Sequence, residues 1–128
     1  DFSVAHQLKF EEERATGKVL LSRAMLHPKG CPDHVCCKRN VLLHLLKKLG
    51  IEAADAVAVA HGENDICLLQ AAGMSVAFHP TSDRVSQAAK RVVWGGLAEV
   101  ASLVSAPRNA SAGRARRWAP ERAQFSSC

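Results

Sequence analysis

Apolar positions first settle into a clear period over residues 38–49. There Val41, Leu42, Leu45, Leu46 and Leu49 fall on one broad stripe of a helix, and Gly50 follows where a helix C-cap belongs. Residues 51–55 form a link. The pattern then changes: residues 56–60, Ala-Val-Ala-Val-Ala, are a short unbroken apolar run, the pattern of a strand buried on both faces. His61-Gly62-Glu63-Asn64-Asp65 breaks that run with polar groups. Ile66, Leu68, Leu69 and Ala72 return to helical spacing, with Gly73 at the expected C-cap. Residues 74–78 read as a second buried strand, and His79-Pro80 as a turn. Ser82 or Asp83 can cap a helix over 84–90. A short strand at 91–94 follows, then Gly95-Gly96 and a helix over 97–104.

The amino-terminal third is less regular. Residues 1–8 carry helical spacing, with Phe2, Ala5, His6 and Leu8 as one side. Residues 8–20 predict a hairpin turning at 11–14, supported by Gly17 and the β-branched residues beside it. Residues 22–37 hold Pro28, Gly30 and Pro32, which rule out a long regular element.

Alternation of helix and strand from 38 to 104 predicts an α/β fold with a parallel, Rossmann-like sheet and flanking helices. The sheet is incomplete: three strands fall below the usual number of about four to six and leave long edges. The expectation is that 1–104 is the carboxyl-terminal part of a larger domain, a view that a start at Asp1 without methionine also favours. The 128 residues are 48% hydrophobic and only 5% aromatic, with no tyrosine, so aliphatic packing carries the core. The formal charge is +5, but Arg108, Arg114, Arg116, Arg117 and Arg122 lie against one acid, Glu121, in residues 105–128. Basicity thus belongs to an aperiodic tail read as disordered, which makes nucleic acid an improbable partner. No apolar run is long enough to span a membrane, and no signal peptide is visible. Five cysteines are an odd number without a disulfide framework, so the expected compartment is the reducing cytoplasm.

Two places carry candidate chemistry. The loop at 61–65 follows the carboxyl end of a strand, where open α/β sheets place ligands. Its Asp65 is able to cap the helix that starts at Ile66, to face a metal, or both. Gly62 is read as a backbone requirement. The second place is Cys31-x2-His34-x-Cys36-Cys37, with His27 nearby. Zinc takes such ligands, yet the spacing is irregular and the prolines suit a plain loop, which is the preferred reading. Cys67, on the apolar helix, reads as a buried small residue.

The run 57–65, continued by Leu68-Leu69-Gln70-Ala71-Ala72-Gly73-Met74-Ser75-Val76-Ala77-Phe78-His79, resembles the fourth motif of haloacid dehalogenase superfamily phosphatases, closest to phosphoserine phosphatase. Lys38, opening the helix that ends Leu49-Gly50-Ile51, lies where that family has its third-motif lysine. Residues 88–93 and the helix after Gly96 resemble its last strand and helix, and Phe10 with 15–19 its hairpin. Residues 27–37 look like an insertion. The resemblance implies a magnesium-dependent phosphomonoester hydrolase of serine biosynthesis. In it Lys38 neutralises phosphate charge, Asp65 and the residue at position 61 hold the metal, and Gly62 and Asn64 shape the loop. A carboxylate nucleophile forms an acyl phosphate, and magnesium requires oxygen ligands. Two departures stand out. No Asp-x-Asp-x-Thr occurs in the chain, nor the second-motif serine region. His61 replaces the first aspartate of Gly-Asp-Gly-x-Asn-Asp, and imidazole is a poor magnesium ligand, which counts against that cofactor here. The expectation is a chain inactive alone that acts on a small phosphomonoester once completed by an amino-terminal segment. The alternative is a degenerate, non-catalytic relative that binds such a segment or another copy of itself.

Overall fold

The computed structural model describes residues 1–26 and 31–106 of the chain. His27 and the arginine-rich stretch after 106, read from the sequence as a disordered tail, lie outside the described residues. Two antiparallel strands come first: β1, Gln7–Glu11, and β2, Arg14–Leu20. The expected helix over 1–8 is absent, because Gln7 and Leu8 are drawn into the ribbon. The turn places Glu12 at φ 47° and Glu13 at φ 63°. Left-handed geometry at both positions suits the right-handed twist of a two-residue hairpin, although glutamate is not the residue usually found there. Gly17, at φ 75°, lies in β2 and not in the turn, where the register shifts between Leu8 and Phe10.

Helix α1 spans Lys38–Leu49, as the periodicity predicts, and Gly50 ends it at φ 64°. The stripe is only partly covered: Leu46 is buried, while Leu49 is 40% exposed. The residue that anchors α1 from below is Asn40, fully buried, whose amide donates to the carbonyl of Met25 at 2.8 Å. That bond and the one from the Cys37 amide to the same carbonyl, 2.9 Å, hold Met25 against the helix start.

The main sheet follows: β3, Val57–Ala60; β4, Met74–Phe78; β5, Arg91–Val93, all parallel in the order β3-β4-β5. Val57 pairs with Met74 and Val76 with Arg91. Helices α2, Ile66–Ala71, α3, Asp83–Ala88, and α4, Leu97–Ser105, connect or follow the strands. Helix α3 stops short of the expected end at 90, where Lys90 instead leads into β5 and its amide donates to Ser75 Oγ at 3.1 Å. One cluster joins Ala58, Leu69, Ala72, Ala77 and Val85, and another joins Val76, Val93 and Val100. Full burial of side chains such as Leu69 and Val76 contributes about 1.5–3 kcal/mol each. Of the three strands β4 is the most buried, with Ser75, Val76 and Ala77 inside. Val59 of β3 is 43% exposed, so the expectation of burial on both faces fails for that strand. Among the described residues no helix is long and apolar enough to cross a membrane.

Gly73 corrects a second expectation. The last residue of α2 is followed by Ala72 in extended geometry, and Gly73 is not left-handed, so it caps nothing. It is needed for closeness: a Cβ there would overlap the Ala54 carbonyl, and its amide donates to Ala53 at 2.7 Å.

Candidate functional site

The loop 61–65 leaves the carboxyl end of β3 as expected and passes through a 3-10 turn, Glu63–Asp65, into α2. Its two ends face different surroundings. His61 lines an open, mainly apolar cleft of about 360 Å³ with Val59, Ala60, Phe78 and His79. Its backbone carbonyl accepts two bonds from Thr81, from the amide at 3.0 Å and from Oγ1 at 3.2 Å, which tie this loop to the one after β4. His79 is held in turn: Nε2 donates to the Gly95 carbonyl at 2.9 Å, and its ring meets Phe78 and Trp94 edge-on.

Asp65 points the other way, into the protein. Its side chain is 8% exposed and forms an ion pair with Lys38, the first residue of α1, whose side chain is 49% exposed. The partner at the buried Asp65 Oδ1 is the Lys38 ammonium. Asp65 occupies the N-cap position of α2 but makes no side-chain capping bond, so the capping reading does not hold. Gly62 has φ −108°, which any residue adopts, and a Cβ there would meet only Asp65 Oδ2, at 3.8 Å. Its backbone geometry therefore does not demand glycine, contrary to expectation. Its carbonyl does accept the Asp65 amide at 3.0 Å, which shapes the turn. Asn64 is exposed. Glu63 is committed elsewhere, accepting from Ser82 Oγ at 2.8 Å and pairing with Arg84 at 3.3 Å.

The structure thus brings Lys38 and Asp65 together, and leaves His61 outside any group of three candidate metal ligands among the described residues. Magnesium requires several oxygens at near-octahedral geometry. This loop supplies the Asp65 carboxylate, already countered by Lys38, while both Glu63 oxygens are engaged. By themselves these residues do not fit magnesium.

A second assembly lies directly beside the pair. Cys31, His34, Cys37 and Cys67 present ligand atoms all within 4.8 Å of one another. Cys36, adjacent in sequence, is not among them; its sulfur lies 3.7 Å from His6 Nε2 on the surface. The expected zinc candidates therefore lose Cys36 and gain Cys67, whose reading as a plain buried residue is incomplete. Burial pushes the Cys31 thiol up, but hydrogen bonding from His34 and the Asp33 backbone outweighs it and brings the group down to about 6. Cys67 is raised to about 12 by burial and then by its neighbours Cys31 and Cys37, and Cys37 is raised chiefly by burial. The Arg39 amide opposes the rise at Cys37 without closing an aligned helix cap.

Comparison with known proteins bears on the first of these two places. Residues 33–94 match a family described as haloacid dehalogenase-like hydrolase. Phosphoserine phosphatase of Haemophilus influenzae is 31% identical over 106 residues, covering 83% of this chain and 31% of that protein. The phosphoserine phosphatase of Vibrio cholerae is 29% identical over 106 residues, 83% of this chain and 30% of that protein. That of Albidiferax ferrireducens is 36% identical over 85 residues, 66% of this chain and 36% of that protein. The chain spans about a third of the length of these relatives. A solved structure of phosphoserine phosphatase in its apo form superposes with a TM-score of 0.61 at 24% identity, covering 78% of this chain and 46% of that one. That likeness shows the fold.

Proposed function

Since the chain belongs to the haloacid dehalogenase superfamily and is phosphoserine phosphatase-like within it, we propose that it provides one half of a phosphomonoester site. We further propose that these 128 residues alone do not turn substrate over. The observation that carries this reading is the Lys38–Asp65 pair at the carboxyl end of β3. A lysine in the first turn of a helix adds its charge to the positive end of the helix dipole, a combination that favours a phosphate. Asp65 holds that lysine at the mouth of the loop. A phosphoryl group entering there exchanges one anionic partner of Lys38 for another and requires no new cation.

Acyl-phosphate chemistry needs a carboxylate nucleophile with room to attack in line. The sequence has no Asp-x-Asp-x-Thr, and Asp65, buried against Lys38, has no such room. Hydrolysis is therefore assigned to this chain only together with a segment that supplies that motif, with phosphoserine as the first substrate to try and the cytoplasm as the setting. A second reading is favoured by His61, which faces an apolar cleft where the family motif has an aspartate: a non-catalytic relative that keeps phosphate binding and has lost turnover.

The test has two parts. Phosphoserine hydrolysis by the 128-residue chain, with or without magnesium, is expected to stay at background. Addition of inorganic phosphate or phosphoserine is expected to shift the amide resonances of 37–39 and 61–66, an effect abolished in Lys38→Ala. Turnover by the chain alone would refute the half-site reading, and unshifted resonances would remove phosphate binding from it. If the chain is joined to an Asp-x-Asp-x-Thr segment, wild-type turnover supports the enzyme. Turnover gained only with His61→Asp supports the degenerate relative.

A further inference from the structure

The four side chains beside the Lys38–Asp65 pair come from two separate parts of the chain. Cys31, His34 and Cys37 belong to the irregular segment that runs into α1, and Cys67 to the first turn of α2. We propose that they form a structural zinc site, three thiolates and one imidazole closing a tetrahedron around the ion.

The four ligand atoms are grouped at the separations a tetrahedral site requires. With Zn–S of about 2.3 Å and Zn–N of about 2.0–2.1 Å, the edges of the ligand cage are about 3.6 Å between nitrogen and sulfur and about 3.8 Å between sulfurs. His34 Nδ1 lies 3.5 Å from Cys31 Sγ and 3.4 Å from Cys67 Sγ, which match the first of these edges. All ligand atoms fall within 4.8 Å of one another, so closure onto the ion needs movements well under the size of an atom. Two sulfurs converge on one imidazole nitrogen, and a shared metal satisfies both contacts at once.

The donor set selects the ion. Thiolate and imidazole suit zinc and not magnesium or calcium, which take oxygen. Three cysteines with one histidine are a set that structural zinc sites use, and four protein ligands leave no open position for a substrate or a reactive water. Cys31, Cys37 and Cys67 are buried, at 8%, 6% and 7% exposure, and His34, which is exposed, closes the site on its solvent side.

The ion fixes three things to one another: the 31–37 segment, the start of α1 and the start of α2. Lys38 is the residue after one ligand, and Asp65 stands two residues before another. Zinc thus acts as a clamp behind the pair, setting the distance across which a lysine meets a buried carboxylate. This assignment does not depend on the phosphomonoester reading, since a structural site holds the two helix starts together whether or not phosphate binds.

Metal analysis of the full chain, purified under reducing conditions and dialysed against a weak chelator, is expected to find one zinc per molecule. Cys36→Ser is expected to keep that zinc, and Cys67→Ser and Cys31→Ser to lose it. Because a ligand variant can also fail to fold, the wild-type chain stripped of metal is titrated with cobalt(II). The intense ligand-field absorption of tetrahedral cobalt and a thiolate charge-transfer band are expected, both bleached by one equivalent of zinc. The proposal is overturned by wild-type protein that retains no zinc and gives only the weak octahedral cobalt spectrum. It is equally overturned by a disulfide linking two of the three cysteines in place of metal, or by loss of zinc in Cys36→Ser equal to that in Cys67→Ser.

Discussion

Lys38 and Asp65 are a charged pair with unequal surroundings. The carboxylate is almost wholly buried at 8% side-chain exposure, while the lysine is half open at 49%. Removing the lysine leaves an ionised group in the interior with an oxygen that has no aligned hydrogen bond. Stranding such a group costs about 1–3 kcal/mol, and water that enters where Lys38 was exposed holds the figure near the lower end. Lys38→Met is expected to lower the unfolding free energy by about 1–2 kcal/mol, measured by urea titration. Adding Asp65→Asn to Lys38→Met is expected to restore part of the loss, since the stranded charge is gone. No recovery in the double variant would show that the lysine acts through packing and not through charge. Both residues drew notice in the sequence through the resemblance of their surroundings to a family motif, and the structure brings them into contact. Cys67 did not stand out. Nothing local distinguishes a ligand from a buried apolar cysteine on a helix, and the partners that give it meaning lie before α1. Cys36 misled for the complementary reason: adjacency to Cys37 in sequence sends its side chain to the opposite side of an extended backbone.

Gly73 marks the junction at which α2 gives way to β4. Its place after a run of helical spacing suggests a cap, but its φ is not left-handed, and what the fold needs there is room. The backbone of Ala53 and Ala54 passes so near that a methyl group would overlap a carbonyl, an obstacle that cannot rotate away as a side chain can. Gly73→Ala is therefore expected to destabilise by about 1–3 kcal/mol, the range for forcing extra volume into a packed site. Gly62→Ala, where a Cβ meets only Asp65 Oδ2 at 3.8 Å, is expected to change the thermal midpoint little. Equal effects in the two variants would refute a steric role for Gly73. Elements with a strong period, α1 and β4, were legible to the residue, because a helical apolar stripe and a run of apolar residues buried at its centre each leave a plain pattern. The helix expected over 1–8 was not, since the hairpin that claims Gln7 and Leu8 is exposed on nearly every residue and so imposes no pattern on its sequence.

The molecule is uneven in how firmly its parts are held. Strand β4 sits between two others, with Ser75, Val76 and Ala77 fully buried, and the core clusters gather on either side of it. Its amides have no route to water short of opening the sheet. The hairpin β1–β2 is bonded chiefly to itself. Its Thr16 donates back to the Lys9 carbonyl at 2.9 Å, the Ser22 amide donating to His6 Nδ1 at 3.0 Å closes its base, and Cys36 Sγ, 3.7 Å from His6 Nε2, reaches it from the following segment. Backbone hydrogen bonds in such a unit break without unfolding anything else, whereas those of β4 break only with the domain. Native-state hydrogen exchange is expected to separate the two. Amides of β1 and β2 exchange early, at rates nearly independent of added urea, the mark of local fraying. Amides of β4 exchange last, with rates that climb steeply with urea because opening exposes the core. Protection in the hairpin equal to that in β4, with the same urea dependence, would show that the hairpin docks on the rest of the fold far more tightly than its exposure implies.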